Sequence, residues 1–360
     1  MVNLELKKNC RKVSLHPFSF AGWSLGTVSL VTIGLLLVQC AMLFFTGSID
    51  AVVVLLCALS ASVLSELFDI YVLRGNLHLH AWRISVIQGL LTGLLIPSTY
   101  PPAGVFLIVF FTMIILRWSL GQFSESWTNS TAVCVIILYF MNSSCFPVST
   151  LSLSDLQARN AALALIQNGS VSMIGSDSAV TEFLNRTIFK LAGISIPDGY
   201  VSLLWDNGSI IPAFRFNLIT IVSSLVLVSF DFIEALIPVI FLFVYSILVR
   251  FVSPLVLGGV PLQGDIILAL FTSGTLFSTL YILQWYGTTP ISLWGKIIYG
   301  ICAGIVAFLI MGFGTSSVGY VFMVLIMNLV SPVMQIMEDK RIFSKIRKRV
   351  IPRLKRMKEV

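Results

Sequence analysis

Long apolar runs, separated by short polar connections, fill most of this chain. Ten of these runs approach the roughly 17 to 25 residues that an α-helix needs to cross a lipid bilayer. Glycine and proline interrupt several of them, most clearly in the third run. The pattern predicts an all-α integral membrane protein with about ten transmembrane helices, at residues 21–46, 50–73, 84–98, 102–117, 131–147, 215–230, 232–250, 265–284, 296–312 and 318–337.

A stretch of mixed polar and apolar character, residues 148–214, divides the runs into two blocks of five. Because five is odd, consecutive blocks cross the membrane in opposite directions. If the blocks are repeats, they are two inverted five-helix repeats, an arrangement found in many transporters.

The positive charges set the expected orientation. Eighteen of the 23 Lys and Arg residues fall on the side of the two termini, and five fall on the other side. Cytoplasmic loops carry the excess of Lys and Arg, so we expect both termini to be cytoplasmic in a bacterial cytoplasmic (inner) membrane. The predicted organisation is a cytoplasmic N-terminus (1–20), a first membrane block (21–147), an extracytoplasmic segment (148–214), a second membrane block (215–337) and a basic tail (338–360).

The tail places apolar residues at helical spacing among many cations. This pattern predicts an amphipathic segment on the anionic inner leaflet. A docking surface for a cytoplasmic partner is the alternative. The apolar positions are Ile342, Phe343, Ile346 and Val350.

Composition agrees with a membrane protein and argues against a soluble domain. Hydrophobic residues make up 57% of the chain and charged residues 11%, whereas soluble domains average about 25% charged residues. The six cysteines are scattered with no CxxC pair, and His78 and His80 have no carboxylate or Cys nearby. We therefore expect neither a metal centre nor a nucleic-acid partner.

Motifs in the second block carry a resemblance to a known family. "GDIILALFTSG" (264–274), "TTPISLWGKIIYGICAGIVAFLI" (288–310) and "GYVFMVLIMNLVSPVMQ" (319–335) resemble the Rnf D and Nqr B subunits. "SVIQGLLTGLLIPSTYPP" (85–102) resembles them more loosely. The resemblance covers about 15–337, and the compact chain favours the Rnf D subunit.

The resemblance implies a function as well as a fold. A protein of this kind is the flavin-carrying membrane subunit of an ion-translocating ferredoxin:NAD oxidoreductase, a translocase, and is not catalytic alone. It relays electrons through covalent FMN and couples them to movement of Na+ or H+. The implied partners are the other Rnf-type subunits (A, B, C, E and G), the lipid bilayer and, during maturation, a flavin transferase.

The family attaches FMN through a phosphoester to the threonine of a Ser-Gly/Ser-Ala-Thr motif on the extracytoplasmic side. "SAVT", Ser178 to Thr181, stands in the corresponding segment and departs from the motif at Ala179 and Val180. The resemblance thus implies covalent FMN on Thr181, on an exposed, flexible loop. The alternative is an ordinary helix-start threonine with Ser178 as N-cap, and Thr187 is the reserve attachment residue.

Other residues of the same region are candidates for holding a flavin. Trp205 is a possible wall for the isoalloxazine ring, or else an aromatic at the membrane interface. Arg215 suits a phosphate or a reduced flavin, or else a snorkelling anchor. Asn328, in the last run, is expected either to hydrogen-bond across helices or to line the pocket of a non-covalent riboflavin or FMN, which the family implies.

Ion movement has fewer candidates. Asp265 is the main one, because ionisable groups inside membranes are commonly functional, with a helix N-cap as the alternative. The family's Asp before its Thr-Ser-Pro segment is missing within "QWYGTTP", and Gln335 stands where an Asp is common. A solute channel or carrier on the same scaffold, and a flavin-free scaffold subunit, therefore remain alternative functions.

Overall fold

The computed structural model describes residues 23–74, 79–120, 128–147, 173–190, 193, 195–256, 262, 264–285, 288–312 and 316–358. The predicted N-terminal region 1–20 and residues 148–172 of the predicted extracytoplasmic segment lie outside the described residues, as do the side chains of 345–360, including Ile346 and Val350. The described residues are helical with short connections and contain no β-strand, as the hydropathy pattern predicts.

The first block contains five helices. α2 continues into a π-helical turn at Asp69–Arg74, and a 3-10 turn at Ser143–Cys145 follows α5. The helices are α1 (Leu25–Phe45), α2 (Ile49–Phe68), α3 (Leu79–Leu95), α4 (Pro102–Leu120) and α5 (Ser130–Met141).

The described part of the segment that follows contains three short helices: α6 (Asp177–Leu184), α7 (Tyr200–Trp205) and α8 (Pro212–Arg215). The second block then contains α9 (Asn217–Ser229), α10 (Leu236–Ile247), α11 (Ser253–Val256), α12 (Ile266–Thr272), α13 (Thr275–Tyr281), α14 (Leu293–Met311) and α15 (Gly319–Lys358). A π-helical turn at Leu248–Val252 joins α10 to α11.

Six of the described helical stretches are long and apolar enough to cross a membrane. Three more, Trp82–Leu95, Ser130–Met141 and Asn217–Ser229, are apolar but shorter. The prediction of a continuous helix over 265–284 is wrong, because α12 and α13 are separate helices with a break at Ser273 and Gly274.

The break depends on one glycine and one distant ring. Gly274 has a φ of +66°, and a Cβ at this position would overlap the ring of Phe214. Left-handed backbone of this kind favours glycine. The polar residues Thr272 to Thr275 mark this position in the sequence, but the contact with Phe214, 60 residues earlier in the chain, has no local signature.

Hydrogen bonds sort the helix ends into two groups. At one end, which we call the upper end, the segment 173–216 meets the turn after α1 through Arg215 and Ser48, and the residues after α3 through Ser98 and Ile210. At the opposite, lower end, Asn129 before α5 bonds the carbonyl of Ile282 after α13. The first block therefore starts at the lower end and the second block at the upper end.

Small residues bring helices close together in both blocks. Gly89 and Gly93 of α3 lie against the backbone of Leu59 and Leu55 in α2. In the second block, Gly304 of α14 lies so close to α10 that an added Cβ would stand 2.9 Å from the Val244 side chain. Such contacts let helix backbones approach closely in membranes. The second and fourth crossing helices pack together in each block.

The last helix is unusually long. α15 runs for 40 residues without interruption, although its apolar part, at Gly319–Ser344, has only 26 residues. The boundary at 337/338, where the membrane block gives way to the basic tail, therefore falls inside one continuous helix.

Candidate functional site

The proposed flavin attachment residue lies at the upper end of the molecule. Thr181 is in α6, its side chain is only 1% exposed, and its hydroxyl donates a 3.1 Å hydrogen bond to the Asp177 carboxylate one turn earlier. The prediction of an exposed, flexible loop is therefore wrong. The local sequence gave no warning, because the residues that bury Thr181 lie about 20 positions further along.

Asp177 is the centre of this small site. Its carboxylate also accepts hydrogen bonds from the backbone amide of Gly199, at 2.8 Å, and from the amide of Ser202, at 2.6 Å, and it accepts one from the Ser202 hydroxyl. Burial raises the pKa of Asp177, but the hydrogen bonds from Ser202, Gly199 and Thr181 outweigh it, so the pKa lies below its ordinary value. The ionised carboxylate thus ties α6 to the N-terminus of α7.

The opposite face of α6 is open. Ser178 is exposed and makes no capping hydrogen bond; the helix starts at Asp177, so the alternative of Ser178 as N-cap is wrong. Val180 and Phe183 are 39% and 64% exposed. Thr187, the reserve attachment residue, is exposed and donates to the carbonyl of Phe183.

Arg215 is fully engaged with protein partners. Its guanidinium binds both carboxylate oxygens of Asp206, at 2.6 and 2.8 Å, and donates to the Ser48 hydroxyl at 2.6 Å. It also lies over the Phe216 ring, 5.3 Å from the centroid. This two-pronged pairing fixes the guanidinium in place and joins the two membrane blocks at the upper end. Trp205, at the end of α7, is 49% exposed.

Asp265 lies beside this region. One of its oxygens accepts the backbone amide of Leu268, which makes it the N-cap of α12, and the other accepts the Tyr200 hydroxyl at 2.7 Å. Since Tyr200 and Ser202 share α7, the structure links Thr181 to Asp265 through Asp177, Ser202 and Tyr200.

Two asparagines near the helix break bind the same pair of backbone carbonyls. The Asn207 and Asn217 side-chain amides both donate to the carbonyls of Phe214 and Phe271. Phe271 lies in the last turn of α12, where carbonyl oxygens lack helical partners. The two side chains supply those partners. Asn217 precedes an apolar run, whereas Asn207 stands between Asp206 and Gly208, so the two positions share no sequence signal for this role.

Asn328, in α15, is buried, at 1% exposure, and the predicted hydrogen bond across helices is not formed among the described residues. Within the part of the chain that the structure describes, neither polar atom of its amide has a hydrogen-bond partner. Burying an unpaired amide costs free energy, commonly about 1–3 kcal/mol. An amide in this state is a ready donor and acceptor for a bound group or an ordered water molecule.

A cavity of about 390 Å³ opens at the lower end, between α1, α3 and the second block. Several of its polar groups bind each other. Lys296 forms a 2.6 Å ion pair with Glu234, and the Gln284 side chain donates a hydrogen bond to the Glu234 backbone carbonyl. Aromatic and apolar side chains complete the lining, notably those of Phe232, Leu280, Tyr281 and Trp285. Asn328 is not among its lining residues.

Comparison with known proteins identifies a family whose match covers most of the chain. A family model described as the NQR2, RnfD, RnfE family matches residues 12–344 of the 360. No curated protein matches the chain.

Proposed function

Because this chain belongs to the NQR2, RnfD, RnfE family, a family of membrane subunits of redox-driven ion-pumping complexes, we propose that it is the D subunit of an Rnf-type complex. The match over 12–344 carries the proposal, and the multi-pass helical fold supports it. The complex would be an ion-translocating ferredoxin:NAD oxidoreductase. Its other subunits (A, B, C, E and G) would be the partners, and Na+ or H+ the translocated ion.

The orientation follows from the charges. In the proposed bacterial inner membrane, the lower end faces the cytoplasm and the upper end faces outward. Arg186, Lys190, Arg215 and Arg250 belong to the upper end, whereas most cations belong to the lower end and to the basic tail. The positive-inside rule supports this arrangement, and both termini are then cytoplasmic.

Covalent FMN on Thr181 is part of the proposal, and the geometry sets a condition on it. In the arrangement described above the site does not fit the group, because the hydroxyl is buried and bonded to Asp177. A transferase reaches it only after α6 separates from α7. Bound FMN supplies one- and two-electron redox chemistry. Ser178 lies on the exposed face of α6 and Trp205 is exposed at the end of α7. Arg215 is committed to Asp206, so its part is to hold the site rather than to pair with the flavin.

A non-covalent flavin suits the lower cavity. Its volume of about 390 Å³ lies within the usual range for ligand pockets, roughly 300–1,000 Å³, and its aromatic lining fits a flat ring. Lys296 is already paired with Glu234, which leaves no unpaired cation in the lining for a phosphate. Riboflavin therefore fits better than FMN. Asn328 would hold a ring edge only if the group extended beyond the present cavity.

A flavin-free membrane subunit is the second candidate function. Two observations favour it: the burial of the Thr181 hydroxyl, and the branched Val180 beside it in place of the family's alanine. In this case the chain would position partner subunits and carry the ion path, with Asp265 at its outer mouth, without a covalent redox group.

Intact mass distinguishes the two candidates. The chain is co-expressed with a flavin transferase, denatured, and examined by mass and by ultraviolet fluorescence in a gel. We expect wild type to be fluorescent and heavier by one FMN less one water, and Thr181→Ala to be dark at the polypeptide mass. Ser178→Ala and Thr187→Ala are the matched controls and should stay fluorescent.

The outcomes separate the proposals. A dark wild-type band would reject covalent flavin and favour the flavin-free subunit. A fluorescent Thr181→Ala band that darkens in Thr187→Ala would move the attachment to Thr187.

A further inference from the structure

A second concave site lies at the lower end, on the outside of the second block. It is a groove of about 240 Å³ between the start of α14 and the middle of α15. Its floor and walls are mainly apolar, and one cation stands at its rim. We call it the lower groove; its principal side chains are Trp294, Ile298, Met334, Met337, Arg341 and Ile342.

Glu338, the carboxylate that lines the lower groove, already has hydrogen-bond donors for its negative charge. Glu338 accepts the backbone amides of Ile291 and Ser292, at 3.2 and 3.4 Å, and the Ser292 hydroxyl. These groups form the N-terminal end of α14, where the helix dipole favours a negative charge. Glu338 therefore has no need of Arg341 as a counter-ion.

Arg341, by contrast, is an uncompensated cation. It is exposed, and among the described residues no carboxylate lies within ion-pair distance of it. It stands three residues before Ser344, where the apolar part of α15 ends. Its guanidinium thus lies at the depth where α15 leaves the apolar layer, next to the apolar lining of the groove.

We propose that the lower groove binds one anionic phospholipid of the surrounding bilayer. An acyl chain would lie along Ile298, Met334 and Met337, and the phosphate would lie at Arg341. Trp294, which is 69% exposed at the first turn of α14, has the amphipathic ring that is enriched at membrane–water interfaces. The site is independent of any flavin.

Charge complementarity favours a lipid over a protein partner. After Arg341 the sequence adds Lys345, Arg347, Lys348 and Arg349 within the same helix. Basic segments of this kind beside a spanning helix are attracted to anionic leaflets. A bilayer lipid is also the molecule that is always present beside an apolar, outward-facing groove.

Native mass spectrometry of the full chain, titrated with dioleoyl phosphatidylglycerol, tests the site. We expect one tightly held lipid on wild type and a several-fold weaker apparent Kd for Arg341→Ala. Lys340→Ala is the matched control, because Lys340 is the neighbouring exposed cation and does not line the groove. Dioleoyl phosphatidylcholine should bind more weakly and be insensitive to Arg341→Ala.

A second pair of variants tests the apolar part. Met337→Trp fills the groove and should reduce lipid occupancy, whereas Ile336→Trp, equally exposed at 54% against 55% but outside the groove, should not. Equal weakening by Arg341→Ala and Lys340→Ala would show diffuse attraction only and overturn the proposal. So would unchanged binding in Met337→Trp, or cross-links from position 337 to another subunit with no lipid retained.

Discussion

At the scale of single residues, the Asp177 carboxylate holds α6 against α7 through contacts that are distant in the chain, rather than through a local sequence motif. One carboxylate collects four hydrogen bonds, from Thr181, Gly199 and Ser202. Two of these three partners lie in the chain 22 and 25 residues away, so no reading of "SDSAVT" could find them. Asp265 is the opposite case: its capping partner is three residues away, and the N-cap alternative could be predicted from "GD" before an apolar run.

Replacing Asp177 should loosen α6. We expect Asp177→Asn to lower the hydrogen-exchange protection of 177–184 by about 10- to 100-fold, since hydrogen bonds to a charged group contribute about 1.5–3 kcal/mol. Ser178→Asn, on the exposed face, is the control and should leave protection unchanged. Equal protection in Asp177→Asn and wild type would show that packing alone holds α6.

The pH dependence of the same contact has a definite sign. The folded pKa of Asp177 is lowered, so its contribution is complete above the unfolded pKa, about 3.9, and is lost as the pH falls through the folded value. Protection of α6 in wild type should therefore hold down to about pH 4 and decline below it.

At the scale of helices, the apolar runs predicted the positions of apolar helices well and their interruptions poorly. Nine of the ten runs contain one continuous apolar α-helix each: six of these helices are long enough to cross a membrane and three are shorter. The tenth is divided at Gly274 by the ring of Phe214, a contact between segments that are far apart in the chain. The burial of Thr181 escaped prediction for the same physical reason.

Close helix packing gives a prediction at this scale. Gly304→Leu should separate α14 from α10 and lower the thermal unfolding temperature in detergent, because overpacking commonly costs about 1–3 kcal/mol. Gly34→Leu is the matched control: it lies within α1 with no atom within 4 Å of an added Cβ. Similar unfolding temperatures for the two variants would show that α10 and α14 move apart at little cost.

At the scale of the whole molecule, three polar contacts between described residues stand out where the two blocks meet. Arg215 reaches from Asp206 to Ser48 at the upper end, Gln39 of α1 donates to Thr220 of α9, and Asn129 bonds the Ile282 carbonyl at the lower end. Counting runs predicted two blocks of opposite direction. It could not predict which side chains join them, since such pairs have no local signature.

Loss of the Arg215 contact should weaken the junction between the blocks. We expect Arg215→Ala to lower the free energy of unfolding by about 2 kcal/mol, as for hydrogen bonds to a charged group, and Arg215→Lys to lose less, since one prong of the pairing survives. Arg186→Ala removes an ion pair whose partners are 76% and 63% exposed and should have almost no effect. Denaturant titration in micelles provides the measurement, and equal effects of Arg215→Ala and Arg186→Ala would contradict it.

The uninterrupted α15 joins its apolar part and its basic extension in one continuous helix. At 1.5 Å per residue its 40 residues span about 60 Å, roughly twice the thickness of the hydrocarbon layer. A tilt of about 5° around buried Asn328 would be imperceptible at that pivot yet displace the far tip by a few ångströms. A small rearrangement within the apolar part of α15 would thereby become a larger displacement at its basic end.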